Sequence, residues 1–326
     1  MSLRVLFMGT PDFAVPTLEA LLSSPHRVVA VVTQPDKPAG RGRKPRPSPV
    51  KQLALQAGLE VMEPQRAGQP ENLEAIRQLQ PEVAVVVAYG QILPPSLLGI
   101  PPLGCLNLHA SILPRHRGAA PIAWAILCGD AVTGVSVIQM DEGLDTGPVM
   151  ACLETPIGPQ EDARGLSARL SALGAELVVE TLGRLESGSI VPSPQNEEEA
   201  TYAPKLRKED GRICWEHGAE RISRQVRAMV PWPMAYTSWR GRQLRILKAR
   251  PLPMQAWDRP GRILKAKGRS LWVATGDGIL EVLELQPEAK QPMGAQAFIS
   301  GRGAVEGEIL GGGCPGHAPG VDGPLG

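Results

Sequence analysis

The sequence predicts an α/β domain built on a mostly parallel sheet, followed by a small β-barrel. Three observations carry that expectation. Apolar, strand-like runs alternate with helical stretches from Leu3 to about residue 186, the pattern of repeated βα units. Val83–Ala88 (VAVVVA) is almost uninterrupted apolar sequence, which suits a strand covered on both faces. Beyond residue 204 the runs shorten and are separated by turns, as in a closed antiparallel sheet.

Taken in order, Leu3–Met8 (LRVLFM) reads as a buried strand. Gly9-Thr10-Pro11-Asp12 then turns into a helix ending near Leu22, with Asp12 placed to cap it. Arg27–Thr33 is the second strand, and residues 34–49 (QPDKPAGRGRKPRPSP) form a long loop whose prolines and glycines oppose regular structure. Val50–Ala57 and Glu71–Gln80 read as helices, with Leu59–Met62 as a short strand between them. After VAVVVA come a strand at Cys105–His109, a helix near Pro121–Cys128, and strands at Val132–Met140 and Val149–Pro156. Residues 161–186 place Leu166, Leu170, Leu173 and Leu177 at helical spacing. A first domain over 1–188 is thus followed by a Pro-rich, acidic linker at 189–204 and a second domain over 205–310. Short runs at Leu244–Leu247, Gly261–Ala266, Leu271–Thr275 and Ile279–Gln286 supply the barrel, and the Gly/Pro tail 311–326 is expected to be disordered.

A hydrophobic fraction of 43% over 326 residues is enough for two packed cores. The net charge of +1 hides an asymmetry: residues 205–269 hold 17 Lys and Arg against 5 Asp and Glu, while the flanking sequence is acidic. A basic segment of this kind suits a polyanionic partner. The five cysteines are scattered without a C-x-x-C pair, which argues against a zinc site or a disulfide framework. No apolar run approaches membrane-spanning length, and no cleavable leader follows residues 3–10, so a cytoplasmic chain with no membrane partner is expected.

The chemistry is concentrated in GCLNLHASILPRHRGAAP (Gly104–Pro121). Asn107 and His109 lie two apart on a strand, so their side chains share one face. An amide can stabilise an oxyanion and an imidazole can move protons near neutral pH, although such a pair can also merely satisfy a strand end. The acidic loop Met140–Gly147 reads by composition as a solvated turn; brought beside His109, its Asp145 would orient the imidazole. Ser111–Pro114, and Tyr89-Gly90 directly after VAVVVA, lie where open α/β sheets bind ligands, at the carboxyl edge of the strands. In the 34–49 loop, Lys37, Arg41, Arg43, Lys44 and Arg46 face Asp36 alone, giving a candidate phosphate-binding arm that orders on binding. The first strand is not followed by G-x-G-x-x-G, and no P-loop, G-x-S-x-G or H-E-x-x-H motif occurs; dinucleotide, NTPase, serine-hydrolase and zincin chemistry lose support. His26, His116, His217 and His317 show no ligand spacing and read as surface or structural.

Together, GTPDFAVPTL (Gly9–Leu18), TQPDKPAGRGRKPRPSPVK (Thr33–Lys51), AYGQILP (Ala88–Pro94), LNLHASILPRHRGAAPI (Leu106–Ile122), MDEGLDTGPV (Met140–Val149), ATYAPKLRKEDGRICW (Ala200–Trp215) and PWPMAYT (Pro231–Thr237) closely resemble the methionyl-tRNA formyltransferase family. The resemblance implies a Rossmann-like formyltransferase domain and an OB-like barrel. It further implies formyl transfer from 10-formyltetrahydrofolate, as co-substrate and without a metal, to the α-amino group of methionyl initiator tRNA. The family's catalytic residues fall on Asn107, His109 and Asp145, and its folate-contacting segments on Ser111, Ile112, Leu113 and Pro114, with Tyr89 and Gly90 beside them. Its tRNA-contacting loop falls on 34–49, where Arg41 takes the key position next to Arg43 and Lys44; Lys205 and Lys208 open the basic segment as further tRNA contacts. The chain is expected to act as a monomer. Ile112, Cys214 and Met234 stand where the family commonly has leucine, aspartate and glycine. Rival expectations are a formyltransferase for a small amine, a hydrolase of the formyl donor, and a tRNA-binding protein with a vestigial catalytic head.

Overall fold

The computed structural model describes residues 2–39, 44–255 and 258–311. They form two compact units, one of residues up to 122 with 131–157 and 165–204, the other of 123–130, 158–164 and the chain from 205 onward.

The first unit carries nine strands: β1 (Arg4–Gly9), β2 (Arg27–Val32), β3 (Lys37–Ala39), β4 (Lys44–Arg46), β5 (Val61–Met62), β6 (Val83–Val87), β7 (Cys105–His109), β8 (Val132–Gln139) and β9 (Val149–Pro156). Helices α1 (Val15–Leu22), α2 (Pro49–Gln56), α3 (Pro70–Gln78), α4 (Pro95–Leu98), α5 (Pro121–Cys128) and α6 (Ala163–Glu186) alternate with them along the chain, most of α5 being counted with the second unit. Seven strands make one sheet in the order β5-β2-β1-β6-β7-β8-β9, parallel from β5 to β7 and antiparallel at β8 and β9. Every residue of β6 is buried, as its unbroken apolar sequence requires; each enclosed valine contributes about 1.5–3 kcal/mol. One face of the sheet packs Leu6, Met8, Val32, Val86 and Tyr89 against Leu73, Ile76 and Leu97. The edge strand β9 is largely exposed. Strand order reverses between β1 and β6, the place where such sheets open a crevice at their carboxyl edge.

Three local expectations need correction. Asp12 does not cap α1: residues Asp12–Ala14 form a 3-10 turn closed by Ala14 N–H donating to the Pro11 carbonyl (2.9 Å), and no side chain caps it. The 34–49 loop contains regular structure, because β3 and β4 pair antiparallel with Pro38 opposite Pro45. Two prolines can face each other only at a site in the ladder that uses no N–H, so here they are compatible with a ribbon. Residues 189–204 do not hang free between units. Ser193 bridges Val149, and Tyr202 bridges Arg117, so this segment lies as a strap on the first unit.

The second unit contains α7 (Ala219–Ala228), β10 (Ala235–Trp239), β11 (Arg242–Leu252), β12 (Ile263–Lys267), β13 (Ser270–Ala274), β14 (Ile279–Pro287), β15 (Met293–Gly294) and α8 (Ala295–Arg302). Its strands form an antiparallel sheet, β10-β11-β14-β13-β12 with β15 on β14, consistent with a small barrel. Helix α7 packs on β11 and β14 through Ala219, Ile222 and Val226, a three- and four-residue spacing that sequence reading overlooked. Met234, where the related family commonly has glycine, has φ +71°, a conformation that favours glycine.

Candidate active site

The site is built at the end of β7. Leu106 and Leu108 point into the core, which turns Asn107 and His109 to the opposite face. Asn107 Nδ2 donates to the Val86 carbonyl of β6 (3.2 Å), fixing the plane of the amide. Its Oδ1 is buried and has no partner among the described residues. A buried acceptor left open costs roughly 1–3 kcal/mol, so this oxygen fits a site that a donor fills on binding.

His109 is 6% exposed. Its Nε2 lies 2.9 Å from the His116 carbonyl, which can only accept, so Nε2 carries a proton and Nδ1 turns toward Asp145. Nδ1 and Asp145 Oδ2 are 3.6 Å apart. Topology does not make this approach easy. Because β8 runs antiparallel to β7, Gln139 pairs with Leu106, and the 140–148 loop starts three residues (about 10 Å) from His109. The loop must run back along β7. Met140 N–H holds its start to the Cys105 carbonyl (2.8 Å), and the Asp141 carboxylate accepts from Gly143 N–H (3.0 Å) and the Thr146 hydroxyl (2.7 Å). Gly147 is required at its end, since a Cβ there would lie 1.7 Å from the Gln139 carbonyl oxygen. Asp145 itself has φ +56° and accepts from Gly118 N–H at Oδ2 (2.8 Å).

What holds Asp145 was not foreseen from sequence. Gln195 Nε2 donates to the Asp145 carbonyl (2.8 Å) and the Gly147 carbonyl (2.7 Å), while its Oε1 accepts from Arg117 Nε (3.1 Å) and Nη2 (2.8 Å). The Arg117 side chain is fully buried and also grips Glu197 with both terminal nitrogens (2.8 and 2.7 Å), holding that carboxyl below its usual range. The available signal was an arginine in an apolar, Pro-rich loop, which must find acceptors if it is buried. His116, expected to be surface or structural, is buried, and its carbonyl holds the catalytic-candidate ring. His26 is buried as well, accepting from Leu3 N–H, whereas His317 lies outside the described residues.

The other anticipated residues surround this centre unevenly. Ser111 and Leu113 are buried and Ile112 and Pro114 are partly exposed; Ser136 ties the segment down by donating to the Ser111 carbonyl (2.8 Å) and accepting from Leu113 N–H (3.2 Å). The Tyr89 ring lies in the core and its unpartnered hydroxyl is pushed up to about 12 by burial, so only its backbone reaches the sheet edge, with exposed Gly90. The carbonyls of Tyr89 and Gly90 both accept from Gln34 Nε2 (3.0 and 2.9 Å). In the arm, Arg41 and Arg43 lie outside the described residues, and Lys44 is placed by its backbone in β4. The feet of the arm are joined by a Thr33–Ser48 hydroxyl contact (2.8 Å) and by Lys51, which reaches Asp36 (2.9 Å) and Glu63 (2.7 Å); these bonds push the Lys51 ammonium up. Lys205 and Lys208 are exposed at the start of the second unit's main segment. There a row crosses four strands: Lys265 over Trp272 (4.2 Å), Trp272 Nε1 donating to Glu281 (3.1 Å), and Arg250 donating to Glu281 (2.7 Å). Among the described residues no cluster of His, Cys, Asp and Glu suited to a metal occurs, and no helix is long and apolar enough to cross a membrane.

Comparison with known proteins matches this architecture to one family. The formyl transferase family matches residues 1–182, and the formyl transferase C-terminal domain matches residues 205–303. A methionyl-tRNA formyltransferase from Solibacter usitatus is 48% identical over 309 residues, covering 95% of this chain and 99% of that protein. One from Thermodesulfovibrio yellowstonii is 47% identical over 307 residues, covering 94% and 98%. Among solved structures, an N-formyltransferase from Helicobacter canadensis in complex with folinic acid and dTDP-3-aminofucose superposes with a TM-score of 0.66 at 18% identity, over 87% of this chain and 99% of that one, a likeness of fold. The chain belongs to the methionyl-tRNA formyltransferase family.

Proposed function

We propose that Asn107, His109 and Asp145 carry out the transfer of a formyl group from 10-formyltetrahydrofolate to the α-amino group of methionyl initiator tRNA. The enzyme is a formyltransferase of the methionyl-tRNA family, and its co-substrate is the folate formyl donor. The observation that supports the assignment of roles is the meeting of the three side chains at the end of β7, with one amide acceptor buried and open.

The α-amino group has a pKa of about 7.7–8.0, so a large fraction is protonated at neutral pH and cannot attack. Asn107 Oδ1 accepts a hydrogen bond from an N–H of the amine and lines its nitrogen up with the formyl carbon. The second N–H of the Asn107 amide donates to the oxyanion formed on attack, an interaction typically worth ~3–4 kcal/mol. Nδ1 is the ring nitrogen left to exchange a proton, because Nε2 is engaged by the His116 carbonyl, and Asp145 Oδ2 stands 3.6 Å from it. The pair takes the proton released by the amine and delivers it to N10 as the C–N10 bond breaks, giving formylated product and tetrahydrofolate. Ser111–Pro114 and the backbone at Tyr89-Gly90 line the folate. Arg41, Arg43 and Lys44 in the arm, and Lys205 and Lys208 in the basic segment, hold tRNA phosphates. The enzyme works as a monomer in the cytoplasm.

Supplying 10-formyltetrahydrofolate with methionyl-tRNA, with small amines, or with neither, and following the formyl group, separates this reading from its rivals. Formyl-methionyl-tRNA is the expected product, and formylation of a small amine or bulk hydrolysis at comparable rates would reject it. Asn107→Ala and His109→Ala are each expected to lower turnover by roughly a hundredfold or more while tRNA affinity holds; near-normal turnover of either removes that residue from the mechanism.

A further inference from the structure

We infer that Gln195 is a positioning residue for formyl transfer, acting through Asp145. Asp145 stands in the middle of a loop that must return along β7, in a left-handed backbone conformation that a non-glycine side chain adopts only when its surroundings impose it. One side chain holds the backbone at that residue and two residues beyond it. The Gln195 amide nitrogen spends its two protons on the carbonyls of Asp145 and Gly147, and its oxygen rests on Arg117. Arg117 is in turn fixed by Glu197, by Arg117 N–H donating to the Thr201 carbonyl (2.8 Å), and by Ala203 N–H donating to the Arg117 carbonyl (2.7 Å). The adjacent Gly118 supplies the N–H on Asp145 Oδ2 and has no room for a side chain, since a Cβ would stand 2.9 Å from the Ala203 carbonyl oxygen. The strap that carries Gln195 and Glu197 therefore sets where the carboxylate meets His109, from outside the β7 and 140–148 segments that carry the reacting groups.

The two ends of Gln195 can be separated by one near-isosteric change. Gln195→Glu keeps an oxygen on Arg117 and replaces the amide nitrogen by an oxygen that cannot donate to either loop carbonyl. A misplacement of the order of 1 Å at a reacting group can cost up to about a hundredfold in rate, so kcat is expected to fall about ten- to hundredfold. KM for methionyl-tRNA and for the folate donor should stay within about twofold, and the pH at which kcat declines should move, because that limb reports the proton-carrying groups of the bound complex. The thermal midpoint is recorded alongside. Unchanged kcat and pH profile in folded Gln195→Glu overturns the inference, as does a lowered melting temperature with normal kcat below it. If Gln195→Glu does not fold, Gln195→Met, which keeps the volume and removes both polar ends, is judged by the same kcat and pH criteria. The inference rests on the proposed role of Asp145, so Asp145→Ala is assayed in parallel. Normal turnover in Asp145→Ala sinks the mechanistic reading itself, whereas an inactive Asp145→Ala with a normal Gln195→Glu sinks the positioning role alone.

Discussion

Two loops of the first unit carry residues to which we assign function, and side chains secure them in different places. The 140–148 loop is tied at its centre: Gln195 and Gly118 bond the residue that reaches His109, and the bonds lead back to a fully buried arginine. The arm between β2 and α2 is held, among its described residues, by the β3–β4 ribbon and by side chains only at its feet, from Thr33, Ser48 and Lys51 with Asp36 and Glu63. The difference follows the task. A carboxylate proposed to steer proton transfer has to be held to a narrow position relative to its partner. Basic side chains proposed to meet phosphates act over a longer range.

The contrast predicts a graded series. Arg117→Met should show the largest stability effect of the three described here. It leaves the partly buried Gln195 oxygen without its donor; an unpaired buried acceptor costs about 1–3 kcal/mol and a partly buried one falls toward the low end, with Glu197 adding little because it is 67% exposed and can rehydrate. Chemical denaturation measures it, and a loss below about 0.5 kcal/mol would mean the strap does not depend on this arginine. Lys51→Met should cost less than about 1 kcal/mol, since the ion pairs at the foot of the arm are partly solvated. Its signature is functional: formylation of methionyl-tRNA should drop several-fold while hydrolysis of the formyl donor continues at the normal rate, and equal losses in the two assays would reject the division of labour. The smallest effect belongs to Tyr89→Phe. The hydroxyl is buried without a partner, so its removal should leave the melting temperature unchanged or raise stability by up to about 1 kcal/mol; clear destabilisation would expose a hydrogen bond that supports the Tyr89-Gly90 turn.

The parts of this molecule written as periodic patterns were readable in its sequence. β6 is apolar at every position because both faces are enclosed, and Asn107 and His109 fall on one face because a strand repeats every two residues. The spacing of Ala219, Ile222 and Val226 was equally available for α7 but passed unnoticed among the surrounding arginines. Other features have no period. The strap is held by side chains on backbone carbonyls and by single bridges, so neither Gln195 nor Glu197 differs locally from residues of a solvated linker. The β3–β4 ribbon is hidden by prolines that normally argue against strands. The approach of Asp145 to His109 depends on the reversal of direction at β8, a property of the sheet and not of either short motif.

The strap bears on how this family can be recombined. A chimera designed to change tRNA choice would naturally be joined within the Pro-rich stretch after α6, where the sequence looks most disposable. A junction before Gln195 would bring in a foreign partner for the loop around Asp145, and on the positioning role inferred for Gln195 the hybrid is expected to lose turnover whatever its new second unit binds. A crossover after Pro204, the last residue of the first unit, would keep the strap with its loop. Even there, residues 123–130 and 158–164 belong with the second unit and would have to travel with it. Exchange by a single crossover therefore cannot respect both units, which confines grafting to designs that carry three separate stretches of chain.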